Sequence, residues 1–273
     1  DRKKLDLLNQ SSVYKFLKKN KPDIVIIAAA KVGGVLNNST YGADFIYENL
    51  QIQNNLINGS FINKIRKLIF LGSSCIYPKN SKQPIKEEYL LSGKLEETNE
   101  PYAISKIAGI KMCEAFNKQY NTNYLCLMPT NTYGPNDNYD LLDSHFFPAL
   151  IRKAHECKLK GKKSIEVWGS GKPLRELIFV DDIADACIYF MTKKIKYSLV
   201  NIGVGKDMTI KKYVNFLLKK LNLKVKIKFN KSRPDGVYKK VLDVNRAKKL
   251  GWKAKINLDK GFNITYRDFL NKY

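Results

Sequence analysis

No stretch of this chain reaches the roughly 20 consecutive apolar residues that a membrane-crossing helix needs, so no membrane partner is expected. Arginine is scarce: of the 49 basic residues seven are Arg and 42 are Lys, against 25 acidic residues, for a net charge of +24. These lysines are spread along the whole chain and not gathered in one stripe. Specific readers of bases and phosphates depend on the planar, bidentate guanidinium, so nucleic acid is not expected as a partner and the excess reads as solvated surface. Cysteine comes to an odd five (Cys75, Cys113, Cys126, Cys157 and Cys187) with no C-x-x-C spacing. That argues against a zinc site and a disulfide framework, so no metal is expected, and reduced thiols point to the cytoplasm. A G-x-G-x-x-G turn is absent too. No cradle for a pyrophosphate can therefore be read from the usual motif.

What is present is enough apolar residue, 44% of 273, to bury a sizeable core. The run at 23–30 (DIVIIAAA) is continuous and apolar, as a parallel strand buried on both faces would be. Runs at 67–71, 124–128, 164–168, 177–180 and 199–202 also read as strands. Helices are expected over 11–20 (capped by Ser11 and Ser12), 41–63, 101–120, 147–157, 181–192, 210–221 and 258–271. Strand and helix alternate at βαβ spacing, which predicts an α/β fold with a doubly wound parallel Rossmann sheet. The pattern loosens after Pro135. Residues 1–135 are thus expected to form a nucleotide-binding core. Residues 136–273 would mainly form a smaller C-terminal substrate-binding lobe, with 174–203 returning to the core.

Two segments carry chemistry. Pro101-Tyr-Ala-Ile-Ser-Lys106 puts Tyr102 and Lys106 four apart near a helix start, on one face. A nearby ammonium would lower the phenol's pKa and ready it for proton exchange. Gly72-Ser-Ser-Cys-Ile-Tyr-Pro78 follows a strand, and residues just past the carboxyl end of a parallel strand face the ligand crevice. Ser73 can then donate to the same oxygen that Tyr102 protonates. This Ser, Tyr and Lys set is similar to the active site of the extended short-chain dehydrogenase/reductases, as is Arg175-Glu-Leu-Ile-Phe-Val-Asp-Asp-Ile183.

More narrowly, the chain resembles the GDP-L-fucose synthases from its first residue to nearly its last. The segments that carry this are 28–34 (AAAKVGG), 72–78, 100–106 (EPYAISK), 128–134 (MPTNTYG), 144–148 (SHFFP) and 167–171 (VWGSG). The resemblance implies epimerisation of GDP-4-keto-6-deoxy-D-mannose at C3 and C5, then reduction at C4 with NADPH. It implies Cys75 as base and His145 as acid, with Ser73, Tyr102 and Lys106 completing the catalytic set. Both a thiol and an imidazole have pKa values that surroundings can bring near working pH. NADP(H) would meet Arg2, Lys3, Lys4, Leu5, Asp6, Leu7, Leu71, Gly72, Ser73, Ser74, Lys106, Pro129, Thr130, Asn131, Thr132 and His145. Lys153, Trp168, Arg175 and Asp235 would meet the GDP-sugar, and a homodimer is implied.

The same resemblance aligns Asp1 just after the family's second strand. It therefore implies that the first βαβ elements, thirty-odd residues with the Gly-rich turn, are lacking, and that the chain as given binds NADPH poorly. Another sugar-nucleotide epimerase or dehydratase using tightly held NAD is the near alternative, though the Cys75 and His145 pair argues against it. A non-catalytic, basic nucleotide- or nucleic-acid-binding protein is the distant one. His155 reads as a packing or surface residue, the four other cysteines as ordinary thiols, and Asp181 and Asp182 as caps for the next helix.

Overall fold

The computed structural model describes residues 3–141, 143–233 and 235–273. In chain order the elements are α1 (Gln10–Asn20), β1 (Ile24–Ile27), α2 (Val35–Thr40), α3 (Gly42–Ile62), β2 (Lys67–Leu71), α4 (Glu100–Tyr120), β3 (Asn123–Pro129) and β4 (Asn131–Tyr133). Then come α5 (Phe146–Leu159), β5 (Ser164–Trp168), β6 (Leu174–Arg175), β7 (Leu177–Phe179), α6 (Val180–Met191), β8 (Leu199–Ile202) and β9 (Met208–Thr209). The chain finishes with α7 (Ile210–Lys220), β10 (Lys226–Asn230), β11 (Lys239–Lys240), α8 (Asn245–Lys249) and α9 (Leu258–Lys272).

The principal sheet is wholly parallel in the order β1-β2-β3-β8. Successive side chains of a strand point to opposite faces, and β2 divides accordingly. Leu68 and Phe70 pack with Val13 and Leu17 of α1, Ile57 of α3 and Ile107 and Ile110 of α4. Ile69 faces the other way, with Leu125, Leu127, Ile183, Phe190 and Trp252. Helices on both faces make this a doubly wound α/β sheet. A second core, with Phe147, Ile151, Val167, Tyr213, Leu217, Phe262 and Phe269, lies among α5, β5, α7 and α9. Around it β5 pairs with β10, β4 with β7, and β6 with β11 and β9. No helix among the described residues is long and apolar enough to cross a membrane.

Some local expectations need correction. The first helix is capped by Asn9, whose side chain accepts the Ser12 N–H at 2.9 Å, and not by Ser11 or Ser12, which lie within it. The strand expected over 23–30 is only Ile24–Ile27, and Ile26 is 43% exposed. β1 is the edge strand of its sheet, pairing with β2 alone among the described residues, and it is not buried on both faces. Asp181 and Asp182 do not cap α6; they sit in its first turn, where negative charge suits the helix dipole. The buried Asp182 carboxylate instead accepts N–H groups of Lys255 and Ile256, at 2.9 and 3.1 Å, fastening the segment before α9. The strand β10 was not expected, although its lysines alternate with Ile227 and Phe229, which turn inward, in the period-two pattern of a half-buried strand. His155 packs, its Nδ1 2.8 Å from the Tyr266 hydroxyl and its ring against Phe269. Cys113, Cys126, Cys157 and Cys187 are buried.

At the carboxyl edge of the sheet a buried polar knot centres on Asn201 of β8, which is 0% exposed. Its Oδ1 accepts the Tyr77 hydroxyl at 2.6 Å. Its Nδ2 donates to Ile85 O and Asp243 O, at 3.0 and 3.2 Å, and its backbone N–H donates to Glu87. One side chain thus fixes the loop after β2 against two distant segments. Asn201→Ala would strand the Tyr77 hydroxyl and the Asp243 carbonyl, each costly to leave unpaired, while Ile85 O keeps the Asp243 N–H. It is expected to lower unfolding free energy by about 3 kcal/mol in urea titration, with native secondary structure retained below the transition.

Candidate active site

Where β2 ends, Gly72 adds one more rung to the ladder, its N–H donating to Leu127 O at 3.0 Å. A Cβ there would overlap the Sδ–Cε end of Met128, which would have to swing aside to admit any larger residue. Ser73 follows with extended backbone, and its Oγ accepts the Cys75 N–H at 3.3 Å, capping the single 3-10 turn Ser74–Ile76. Tyr77 then anchors the loop to Asn201. The turn leaves Cys75 partly exposed while Ser74 and Ile76 are buried.

Helix α4 begins at this same edge, with Pro101 in its first turn, where a missing N–H costs nothing. Tyr102 is half-buried, with the Ser73 side chain near enough to its hydroxyl to favour the phenolate. One turn on, Lys106 is 3% exposed; its Nζ donates to Leu71 O at 3.0 Å and lies 5.8 Å from the Tyr102 ring centroid. Electrostatics here differ from the expectation of a phenol lowered by an ammonium. Burial dominates, pushing Tyr102 well above the ordinary phenol range, with Cys75 adding to the rise and Ser73 opposing it. Burial also pulls Lys106 down to about 8. Tyr102 is therefore held as a neutral phenol at pH 7, a proton donor and not a phenolate.

Two residues join the set that sequence reasoning did not single out. Asn99 Nδ2 and Lys240 Nζ reach Cys75 Sγ at 3.6 and 3.5 Å. Asn99 Oδ1 is buried without a hydrogen-bond partner among the described residues. Asn99 could have been noticed three positions before Tyr102. Lys240 had no signal, being one lysine among 42 and 165 residues from Cys75.

A second group forms on the lobe. The Lys153 ammonium and the Arg233 guanidinium each lie 4.7 Å from the Trp168 ring centroid. Burial lowers the Lys153 pKa, and Arg233 adds to the fall. Two cations converging on one half-exposed indole make a place suited to an anion with a flat, stackable part. Arg233 was also missed, for lack of any motif. Arg175 donates to Val237 O at 2.6 Å and to Asp235 O at 3.1 Å, while Asp235 accepts the Ser170 N–H and hydroxyl. The two groups meet through the β6–β11 pair, where Arg175 stands beside Lys240 and feels the charge of Cys75.

The other candidates fall in three places. Leu71 ends β2 and Gly72, Ser73 and Ser74 follow it; Pro129 ends β3 on the same edge of the parallel sheet, and Thr130 leads into β4, which holds Asn131 and Thr132. His145 is exposed at the start of α5; no hydrogen bond among the described residues joins it to Cys75 or Tyr102. Lys3, Lys4, Leu5, Asp6 and Leu7 precede α1, with Leu7 packed on the first core and its carbonyl bound by Asn55. Arg2 lies outside the described residues.

Comparison with known proteins gives this geometry its context. Residues 1–203 match the NAD dependent epimerase/dehydratase family. The chain is 49% identical to the GDP-L-fucose synthase of Sinorhizobium fredii, spanning 99% of this chain and 86% of that one. Against the GDP-L-fucose synthase of Escherichia coli identity is 46%, over 98% and 87%. Among solved structures, a GDP-6-OMe-4-keto-L-xylo-heptose reductase from C. jejuni superposes with a TM-score of 0.94 at 38% identity, covering 100% of this chain and 89% of the other. A GDP-L-fucose synthetase from Naegleria fowleri bound to NADP gives 0.91 at 25%, over 100% and 84%. The chain belongs to the NAD dependent epimerase/dehydratase family and, within it, to the GDP-L-fucose synthases.

Proposed function

We propose that this protein converts GDP-4-keto-6-deoxy-D-mannose to GDP-L-fucose, epimerising C3 and C5 and then reducing C4 with NADPH. The observation that carries the reading is a thiol, Cys75, on the same sheet edge as the Ser73, Tyr102 and Lys106 set. Reduction alone needs no thiol; exchange of a proton beside a ketone needs a base.

In this reading Cys75 takes the proton from carbon, and Asn99 and Lys240 hold the sulfur in place. His145 returns a proton from the other side of the sugar, so acid and base need not touch. Ser73 and Tyr102 donate to the ketone oxygen while it carries enolate charge. Tyr102, kept neutral by burial, then gives that oxygen its proton. Bound NADPH supplies the hydride. The residues fit such a cofactor: Lys106 spends one of its three N–H donors on Leu71 O, which leaves others for ribose hydroxyls. Ser74 and Thr130 to Thr132 line the same edge, and Lys3 to Leu7 are assigned to the adenosine end. Lys153, Arg175, Asp235 and Trp168, with Arg233 added, take the GDP-sugar.

The division into a core over 1–135 and a lobe over 136–273, with 174–203 returning to the core, belongs to the same proposal. So do a cytoplasmic setting and a homodimer. Supporting the latter, Tyr47 and Ile62 of α3 and Ile104 and Tyr120 of α4 remain exposed.

Cys75→Ser is expected to stop solvent deuterium from entering C3 and C5, while a pre-epimerised sugar is reduced within about threefold of the normal rate; equal loss of both activities would show the role misassigned. Trp168→Ala is expected to raise KM for the GDP-sugar about tenfold with kcat spared, measured by NADPH oxidation. For Lys106 the native value is about 8 against 10.5 in the unfolded chain. Between these values the unfolded chain holds the extra proton, so stability climbs with pH and is lost as pH falls through 8, by on the order of 3 kcal/mol. Urea titrations across that window should show Lys106→Met without this climb.

A further inference from the structure

Glu176 is 0% exposed and has no part in the chemistry above. Its Oε1 accepts the N–H groups of Val204 and Gly205, both at 2.6 Å, and its Oε2 accepts the Leu242 N–H at 2.8 Å. Its backbone carbonyl accepts Thr130 Oγ1 at 3.3 Å and Asn131 Nδ2 at 3.0 Å. A Cβ on Gly203 would overlap the carboxylate, so the loop after β8 is packed directly on it. One residue therefore ties together the end of β3, the loop after β8 and the segment that continues β11.

That last segment matters most. Lys240, two residues before Leu242, pairs with Arg175 across the β6–β11 ladder and points its Nζ at Cys75 Sγ. On the opposite side the segment is held by Gln83, whose Oε1 accepts the Val241 N–H, and by Ile85. The Glu176 carboxylate is the fixed point on the core side. A buried carboxylate is costly unless donors surround it, and here the donors are backbone groups of the segments it must hold in register. Burial raises the group to about 7 even so.

We propose that Glu176 is a positioning residue for Cys75: by gripping the Leu242 N–H it sets the register of residues 239–242 and so keeps the Lys240 ammonium against the sulfur. The inference deepens the proposed role of Cys75 and depends on that role only for its catalytic consequence. A cation held against a cysteine raises its reactivity toward alkylating agents, and Lys240 Nζ lies 3.5 Å from the sulfur. The reactivity of Cys75 toward a small alkylating agent therefore reads the geometry with no substrate present.

The test is the rate of Cys75 alkylation by iodoacetamide at pH 8, followed by peptide mass spectrometry on the full chain. The four other cysteines, all buried, serve as internal references. Glu176→Gln replaces one acceptor oxygen by an NH2 group that faces a donor, and is expected to slow alkylation about fivefold, as is Lys240→Met. The double variant is expected to react no more slowly than Lys240→Met alone, because the first change acts through the second. A wild-type rate in Glu176→Gln, or two effects that multiply, would overturn the proposal. So would a rise at all five cysteines, which signals general loosening. Should Glu176→Gln fail to fold, Glu176→Asp, one methylene short of its three donors, carries the same expectations. Because no GDP-sugar is used, failure here leaves the proposed reaction standing, and failure of that reaction leaves this result readable.

Discussion

The parallel pairing of Lys67–Leu71 with Asn123–Pro129 is the constraint from which the site follows. Two parallel neighbours end at the same edge, so the chain must return to the start of β3 before it can pair. Helix α4 makes that return, and its first turn therefore opens at the edge where β2 ends. Ser73 and Tyr102 are brought together by this geometry, with no need for either to reach far. Lys106 comes one helical turn later and falls back over the end of β2, where Leu71 O takes its proton donor.

The same edge is expensive to maintain, because strands that stop in the interior leave polar groups there. Asn201 and Glu176 satisfy them, between them binding backbone groups of Ile85, Asp243, Val204, Gly205 and Leu242. Asn201 thereby joins the loop after β2, through Tyr77 and Ile85, to a strand more than a hundred positions away. Site and fold share the arrangement: the loop on which Cys75 sits is fastened by the polar knot beneath it. Burial sets the electrostatics in the same stroke, keeping Tyr102 protonated and weakening the charge on Lys106.

Much of the architecture was legible in short strand patterns. The apolar runs of β2 and β8 and the alternating run of β5 fall on the residues where the sequence puts them. β1 and β10 were less so: β1 is shorter than its apolar run, and β10, an alternating Lys/apolar stretch, was not read as a strand. The Ser73, Tyr102 and Lys106 set was legible through local spacing, whereas Asn99, Lys240 and Arg233 were not. A long lysine side chain in a lysine-rich chain carries no local mark of where its ammonium will lie.

The sequence by itself determined the alternation of strands and helices, the family, and the residue types from which the site is built, because each is encoded within a few neighbouring positions. Only the tertiary structure decided what surrounds those residues. It placed Lys240 at Cys75, set Arg233 beside Lys153 over Trp168, moved Asp182 from cap to tether, and reversed the expected shift of Tyr102. The physical reason is common to all four. Contacts between distant segments and the burial of a charge depend on how the elements pack, and no local pattern of residues fixes that.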